Sequence, residues 1–367
     1  MIPLLTPDMP SAKDLVPYLE MIDRDKWYTN FGQRLCSFEG RLADHFDVKN
    51  ENVTTVSSAT AGLTITLKVI AADLEISPTR KRRTCLLPAW TFVASAQAVI
   101  EAGMDIVFCD VDPVTGALTP RIVSEYLAEP LNIKPDIIMP VVPFGGDVKV
   151  SDWDVLSAQA GIPVVIDAAA SFYSLEAGRC PAVVSLHATK AFGIGEGGVI
   201  LSENQNVIQK VRQFSQFGFA GGRLALSYGG NYKLSEYHAA VGLAQFDRLE
   251  KVKQRYSQVR NEYFTHLAAC ENITFLPDED TKISSTVNVI FGDKKAIAVV
   301  EALREKGIGA SIWWEDHLHR NQLFNVLNAT RSFLVADKFY GGVVALPFST
   351  SLTEREISLV ANGIRSL

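Results

Sequence analysis

The stretch SLHATKAFGIGEGG, residues 185–198, sets Lys190 five residues after Ser185 and directly after Thr189, and then crowds Gly195, Gly197 and Gly198 into four positions. A lysine kept for solubility needs none of these neighbours. Partly buried and close to other positive charge, its amine can give up a proton and condense with an aldehyde. The glycines either let the backbone pass close to a bound group or form the turn into the strand VILS. On both sides of this segment, apolar β-rich runs alternate with helical patterns. NVTTVSS, CLLPAW, DIVFCDV, DIIMPVVPF, IPVVIDAA, VVSLHA and GGVILS read as strands, and AGLTITLKVIAADL and VASAQAVIEAG as helices. The pattern predicts an α/β large domain with a mostly parallel sheet covered on both faces, its ligands collecting past the strand C-termini. From Leu234 a long helical stretch leads to ITFLP, STVNVIFG, KKAIAVVEALREKG, IGASIWW, a strand ending at Pro347 and a last helix. The expected division is a large domain over 1–245, including the N-terminal segment, and a smaller α+β domain over 246–367.

The aldehyde that biology offers to such lysines is pyridoxal phosphate, which needs an anion for its ring nitrogen, donors for its phosphate and a plate against its ring. Each need has a candidate. PVVIDAAAS brings Asp167 to a strand end followed by small residues; alone it reads first as a helix N-cap, but beside Lys190 it reads as the ring-nitrogen partner. SSATAGL puts Ala59 and Thr60 at a helix N-terminus, where backbone N–H groups and a hydroxyl suit a phosphate, and Ser185 adds another hydroxyl. Phe92, in PAWTFVAS, is the candidate plate, with a place in the core as the alternative.

Composition narrows the class. The chain has 367 residues, 47% of them hydrophobic, and a net charge of −6, with 41 acidic against 35 basic side chains. That balance argues against a nucleic-acid partner, which would require clustered cations; the one basic run, TRKRRT at 79–84, reads as a loop entering a strand. Five scattered cysteines with no CxxC pair fit a reduced compartment and support neither a disulfide framework nor a metal site. The start, MIPLLTPDMPSAKD, lacks a basic region followed by an apolar one, and no apolar stretch approaches the ~20 residues of a membrane span. A soluble cytoplasmic protein is expected.

Together these segments resemble the DegT/DnrJ/EryC1/StrS family of sugar aminotransferases. WYTNFG, SSATAGL, PAWTFVAS, FCDVDPVTGAL, PVVPFGG, VVIDAAAS, SLHATKAFGIGEGG and GGNYKLSEYHAAVGLAQFDRL stand in family order, and GIGASIWW and ALPFSTSLTEREI resemble its closing segments. The resemblance implies the fold type I architecture of pyridoxal-phosphate aminotransferases. It makes Lys190 the cofactor-binding lysine, Asp167 the ring-nitrogen partner and Phe92 the stacking residue, with Ala59, Thr60 and Ser185 at the phosphate. Asn231 would reach the phosphate from a neighbouring subunit, so the expected assembly is a homodimer with shared active sites. Thr29 and His317 are candidates for the substrate side, with His319 beside His317 as the alternative. Two positions depart from the pattern: Ala170 stands where relatives carry Gln or His, and Lys233 where they carry Arg. Lys190 excludes the branch that replaces this lysine with histidine, and His187 is the ordinary neighbour in H-x-T-K.

The implied reaction takes an amino group from L-glutamate, leaving pyridoxamine phosphate and 2-oxoglutarate, and delivers it to a nucleotide-linked keto-6-deoxy sugar. The favoured acceptor is dTDP-4-keto-6-deoxyglucose, yielding a 4-amino-4,6-dideoxy sugar for a surface polysaccharide such as O-antigen or lipopolysaccharide, or for a glycoside. The alternatives are a 3-keto sugar, a catalytically silent cofactor or sugar-nucleotide binder, and a pyridoxal-phosphate lyase acting on free amino acids. The last does not explain the Asn-Tyr block.

Overall fold

A computed structural model describes residues 1–75, 80–277, 283–292, 295–314, 317–324, 326–328 and 331–367. Seven strands form the large sheet: β1 (Val53–Val56), β2 (Thr84–Pro88), β3 (Asp105–Cys109), β4 (Ile137–Ile138), β5 (Ile166–Asp167), β6 (Ala182–Ser185) and β7 (Gly198–Leu201). Their order is β3-β2-β4 and β5-β6-β7-β1, the two halves being joined by parallel bridges from Ile138 to Val164 and from Val141 to Asp167. Among the described residues only β7 opposes its neighbours, pairing antiparallel with both β1 and β6.

Every residue of β1, β2 and β6 is buried, as expected of strands covered on both faces. Alternate side chains feed two separate cores. On one face Leu86, Val107, Ile166 and Val184 pack with Leu35, Phe38, Trp153 and Leu243. On the other, Leu87, Ile106, Val165 and Val183 pack with Leu63, Ala96, Val99 and Val211.

A second sheet, β10-β11-β9-β8, is antiparallel throughout: β8 (Ile273–Phe275), β9 (Val287–Phe291), β10 (Ser311–Ile312) and β11 (Val343–Leu346). Its core is shared with the helices Leu249–Leu267, Ala296–Glu305 and Glu354–Arg365. The chain start belongs here too, since Ile2 bridges Ile308 and Leu5 bridges Phe348. Described residues between 317 and 340 bridge from the second sheet to the first. Val326 bridges Ile106 on β3, the Asn328 amide brackets the Phe108 backbone, and the Asp110 carboxylate accepts from Val335 and Ala336 N–H.

The single long helix expected after Leu234 divides in two, Glu236–Asp247 and Leu249–Leu267. Arg248 sits between them at φ −105°, ψ 0°, its N–H turned to Gln245 and Phe246 carbonyls while its guanidinium pairs with Asp8 at 2.6 Å. Two arginines of the basic run are engaged locally: Arg80 pairs with Asp136, and Arg83 donates to the Leu74 carbonyl. Among the described residues no helix is long and apolar enough to cross a membrane.

Glu236 performs a task across the fold. Buried at 1% exposure, its carboxylate accepts from Arg34 N–H at 2.8 Å and Leu35 N–H at 3.2 Å, capping the helix Gln33–His45, whose own N-cap Gly32 has no side chain to do so. Glu236→Ala leaves these donors unsatisfied and is expected to lower unfolding stability by ~1–3 kcal/mol, with Glu236→Gln, which keeps one acceptor, losing less. Urea denaturation of the two variants measures the difference.

Candidate active site

The C-terminal ends of β1, β2, β5 and β6 open onto one cavity of about 360 Å³, within the ~300–1,000 Å³ of small-molecule sites. Six of the sequence candidates line it: Ala59, Thr60, Phe92, Asp167, Ser185 and Lys190.

At one end, β1 runs into the helix Ala59–Ala72, whose N-cap Ser58 accepts from Ala61 N–H at 3.1 Å. The N–H groups of Ala59 and Thr60 have no acceptor among the described residues, so two donors and a positive helix end face the cavity. Gly198 on β7 packs against this turn: a Cβ there would lie 2.7 Å from Ala59 N and 2.8 Å from Ser58 C. Gly195, at φ +100° with open space around it, serves the turn instead. The two readings of the glycines thus divide between positions.

Asp167 ends β5 inside the cavity at 5% exposure. The Ser95 hydroxyl donates to Oδ2 at 2.7 Å and Ala169 N–H to Oδ1 at 3.2 Å, and Thr91 Oγ1 lies 3.0 Å from Ser95 Oγ. Burial pushes the Asp167 carboxyl above its ordinary value; the two hydrogen bonds and the Lys190 charge pull the other way. A buried carboxylate with two neutral donors and a net upward shift is short of positive charge. A protonated pyridine nitrogen supplies that charge, so Asp167 fits the ring of pyridoxal phosphate as the helix N-terminus fits its phosphate.

Lys190 follows β6 in a short turn closed by its N–H on the His187 carbonyl at 2.9 Å. Burial holds its amine below the ordinary lysine value, opposed by the Asp167 charge, which favours the unprotonated form that attacks aldehydes. His187 is fixed beside it, Nδ1 2.8 Å from Thr189 Oγ1 and Nε2 3.6 Å from Glu196 Oε1. Phe92 is half exposed and lines the cavity, so its ring is not core.

Sequence reasoning missed the wall facing these groups: Val141, Val142, Phe144, Ser285, Thr286, Trp313 and Trp314. Phe144 stacks on Trp314 at 5.1 Å, and Trp314 leans on Trp90, itself stacked on Phe339. Phe144 has the left-handed φ of +54°, its carbonyl accepting from the Ser284 hydroxyl. The motif PAWTFVAS contained Ser95, and its place one helical turn after Thr91 was the available signal.

Three candidates lie elsewhere in the single chain. Thr29 is exposed and outside the cavity lining. Asn231 is exposed, its Oδ1 accepting from Lys233 Nζ at 2.7 Å. His317 does not line the cavity: its ring stacks on Tyr340 and its Nδ1 meets Asp337, so a direct substrate contact from His317 is not what this geometry offers. His319 is buried beside it, while Glu315 and Asp316 of the same stretch lie outside the described residues.

The sequence profile of the DegT/DnrJ/EryC1/StrS aminotransferase family matches residues 11–365. The protein Rv3402c of Mycobacterium tuberculosis H37Rv is 28% identical, covering 99% of this chain and 89% of its own length. The dTDP-4-amino-4,6-dideoxy-D-glucose transaminase of Shigella dysenteriae is 28% identical over 66% of this chain and 64% of its own. A crystal structure from Bacillus cereus ATCC 10987, assigned as a PLP-dependent aminotransferase, superposes with a TM-score of 0.89 at 25% identity, covering 99% of each chain.

Proposed function

The chain belongs to the DegT/DnrJ/EryC1/StrS aminotransferase family, and from that membership we propose that it moves an amino group from L-glutamate to a nucleotide-linked keto-6-deoxy sugar. The favoured acceptor is dTDP-4-keto-6-deoxyglucose, the product a 4-amino-4,6-dideoxy sugar for a surface polysaccharide or glycoside. The Shigella relative's activity supports this substrate class. The carrying observation is that one cavity holds Lys190, with its amine shifted toward the free base, and the buried carboxylate of Asp167, beside an open helix N-terminus.

Pyridoxal phosphate, when bound, supplies an aldehyde for the amine and a protonated ring that draws electrons from the carbon losing its proton. Asp167 holds the proton on the ring nitrogen by charge pairing, and Ser95 and Ala169 fix both of its oxygens. Ala59 and Thr60 N–H, with the Thr60 and Ser185 hydroxyls, receive the phosphate. Phe92, half exposed in the cavity, would supply the plate against the ring. With the cofactor bound, the free amine of Lys190 would serve as the base and acid that moves a proton between the donor's α-carbon and the cofactor, and would do the reverse with the acceptor. Phe144, Trp313 and Trp314 line the cavity wall and would shield the bound group from water.

The test is incubation with L-glutamate and dTDP-linked 4-keto or 3-keto sugars, with the product followed by mass spectrometry and NMR. The reading requires 2-oxoglutarate and an amine at C4; consumption of the 3-keto isomer alone would move the site of amination, and acceptance of neither would end the proposal.

The site is also proposed to be shared in a homodimer. Phe217, Tyr228 and Tyr237 are exposed within 14 residues of Asn231 in the chain, Tyr228 at 94%, and exposed aromatic side chains of this kind suit an interface. The partner's Asn231 would then complete the phosphate end. Mixing inactive Lys190→Ala and Asn231→Ala chains after mild dissociation should regenerate about a quarter of the wild-type sites, since half the dimers carry one intact site of two. A mixture no more active than its parts would mean that each chain is self-sufficient or that no exchange-competent dimer forms, and sedimentation separates these two.

A further inference from the structure

Away from the cavity, His317, His319 and Asp337 converge, with a ligand atom from each lying within 4.8 Å of the others. The histidines come from the turn at Leu318–Arg320 and the residue before it, and Asp337 from the helix Leu334–Phe339. Asp337 Oδ1 lies 3.1 Å from His317 Nδ1 and 3.4 Å from His319 Nε2. A tetrahedral zinc ion with ligands at ~2.0–2.1 Å has ligand-to-ligand edges of ~3.3 Å. The two separations to Asp337 Oδ1 lie near such edges, the 3.1 Å one being a hydrogen-bond distance as well, and all three ligand atoms fall within 4.8 Å of one another.

The donors are held by their surroundings. The His317 ring stacks on Tyr340 at 4.2 Å, and His319, at 2% exposure, packs beside Phe333. The Tyr340 hydroxyl donates to the Ala89 carbonyl at 2.6 Å and accepts from Leu318 N–H. Arg320 donates to Asp337 Oδ2 at 2.7 Å, which orients the carboxylate and leaves Oδ1 turned to the histidines.

We propose that His317, His319 and Asp337 form a site for zinc or a similar borderline divalent cation, with water in the fourth position. Its place in the fold gives it a structural task. The same helix carries Phe339, which stacks on Trp90 and through it supports Trp314 in the cavity wall. The ion would tie the turn to that helix and so fix one side of the cavity. His319 Nδ1 has no hydrogen-bond partner among the described residues, and a missing outer-shell bond typically costs ~10–100-fold in affinity. The ion should therefore exchange reversibly and yield to chelators.

The experiment uses chelator-treated, cofactor-loaded protein titrated with Co²⁺, followed by visible absorption and equilibrium dialysis. One Co²⁺ per chain with the intense d–d band of tetrahedral cobalt, displaced by Zn²⁺, is expected. Asp337→Asn and His317→Gln should each weaken binding by more than ~10-fold, and Zn²⁺ should raise the melting temperature of the wild type alone. His317 is part-exposed, so His317→Gln decides if Asp337→Asn fails to fold. A weak octahedral spectrum, no retained metal, or binding unchanged in both variants would overturn the proposal.

Discussion

Lys190→Ala should lower kcat/KM for amino transfer by ~10⁴-fold or more while leaving a folded protein. The loss combines two functions of one amine: covalent attachment of the aldehyde and proton transfer at the reacting carbon, the second alone worth ~10²–10⁴-fold. No other cavity group is placed to substitute. His187 is held by Thr189 and Glu196, and Asp167 is committed to Ser95 and Ala169. The fold should tolerate the change because Lys190 Nζ has no hydrogen bond or ion pair among the described residues and its burial penalises the charged form. Initial rates and a thermal melt on the same preparation test both halves; more than about a hundredth of wild-type activity in the variant would remove Lys190 from the centre of the account.

Asp167→Asn should move two observables in opposite directions. Activity falls because the amide cannot hold a proton on the ring nitrogen by charge. An opposite charge at this range shifts a pKa by ~1–3 units, and each unit is a factor of ten, so a loss of up to ~10³-fold is expected. Stability of the cofactor-free protein rises. Burial holds the native Asp167 pKa above 3.8, so between 3.8 and the raised value the native state binds more protons than the unfolded chain. Stability then falls as pH increases through that window and stays lower above it. The amide removes this penalty and keeps its neighbours satisfied, its oxygen accepting from Ala169 and its NH₂ donating to the Ser95 hydroxyl. Melting temperature against pH, wild type beside variant, should show curves that meet in acid and separate above the window. Curves that never separate would mean that the carboxylate is not destabilised by burial.

Much of this site was legible in the sequence because parallel strands buried on both faces are written as short apolar runs, with ligands past their C-termini. Asp167, Ser185 and Lys190 each follow such a run, and Ala59 and Thr60 open the helix after another. What escaped depends on contacts between distant segments. The reversal of β7 leaves no mark in GGVILS, since a fully buried strand reads alike in either direction. Ser95 lies 72 residues from Asp167, and Glu236 caps a helix 202 residues away; neither partner is predictable from local pattern. Trp313, Trp314 and Phe144 come to one cavity wall from segments about 170 residues apart, beside ties of Asn328 to Phe108 and of Asp110 to Val335. His317 faces Asp337 and not the cavity. The helix break at Arg248 coincides with its tie to Asp8 near the chain start, a contact that the three-residue apolar repeat does not encode.

The most direct test of amino transfer at this cavity is the visible absorption of the purified, pyridoxal-phosphate-loaded protein before and after L-glutamate, with Lys190→Ala alongside. The account predicts a yellow band that glutamate bleaches, that 2-oxoglutarate restores, and that the variant neither forms nor regenerates in the same way. A wild-type band that glutamate leaves unchanged, or one that persists identically without Lys190, would contradict it.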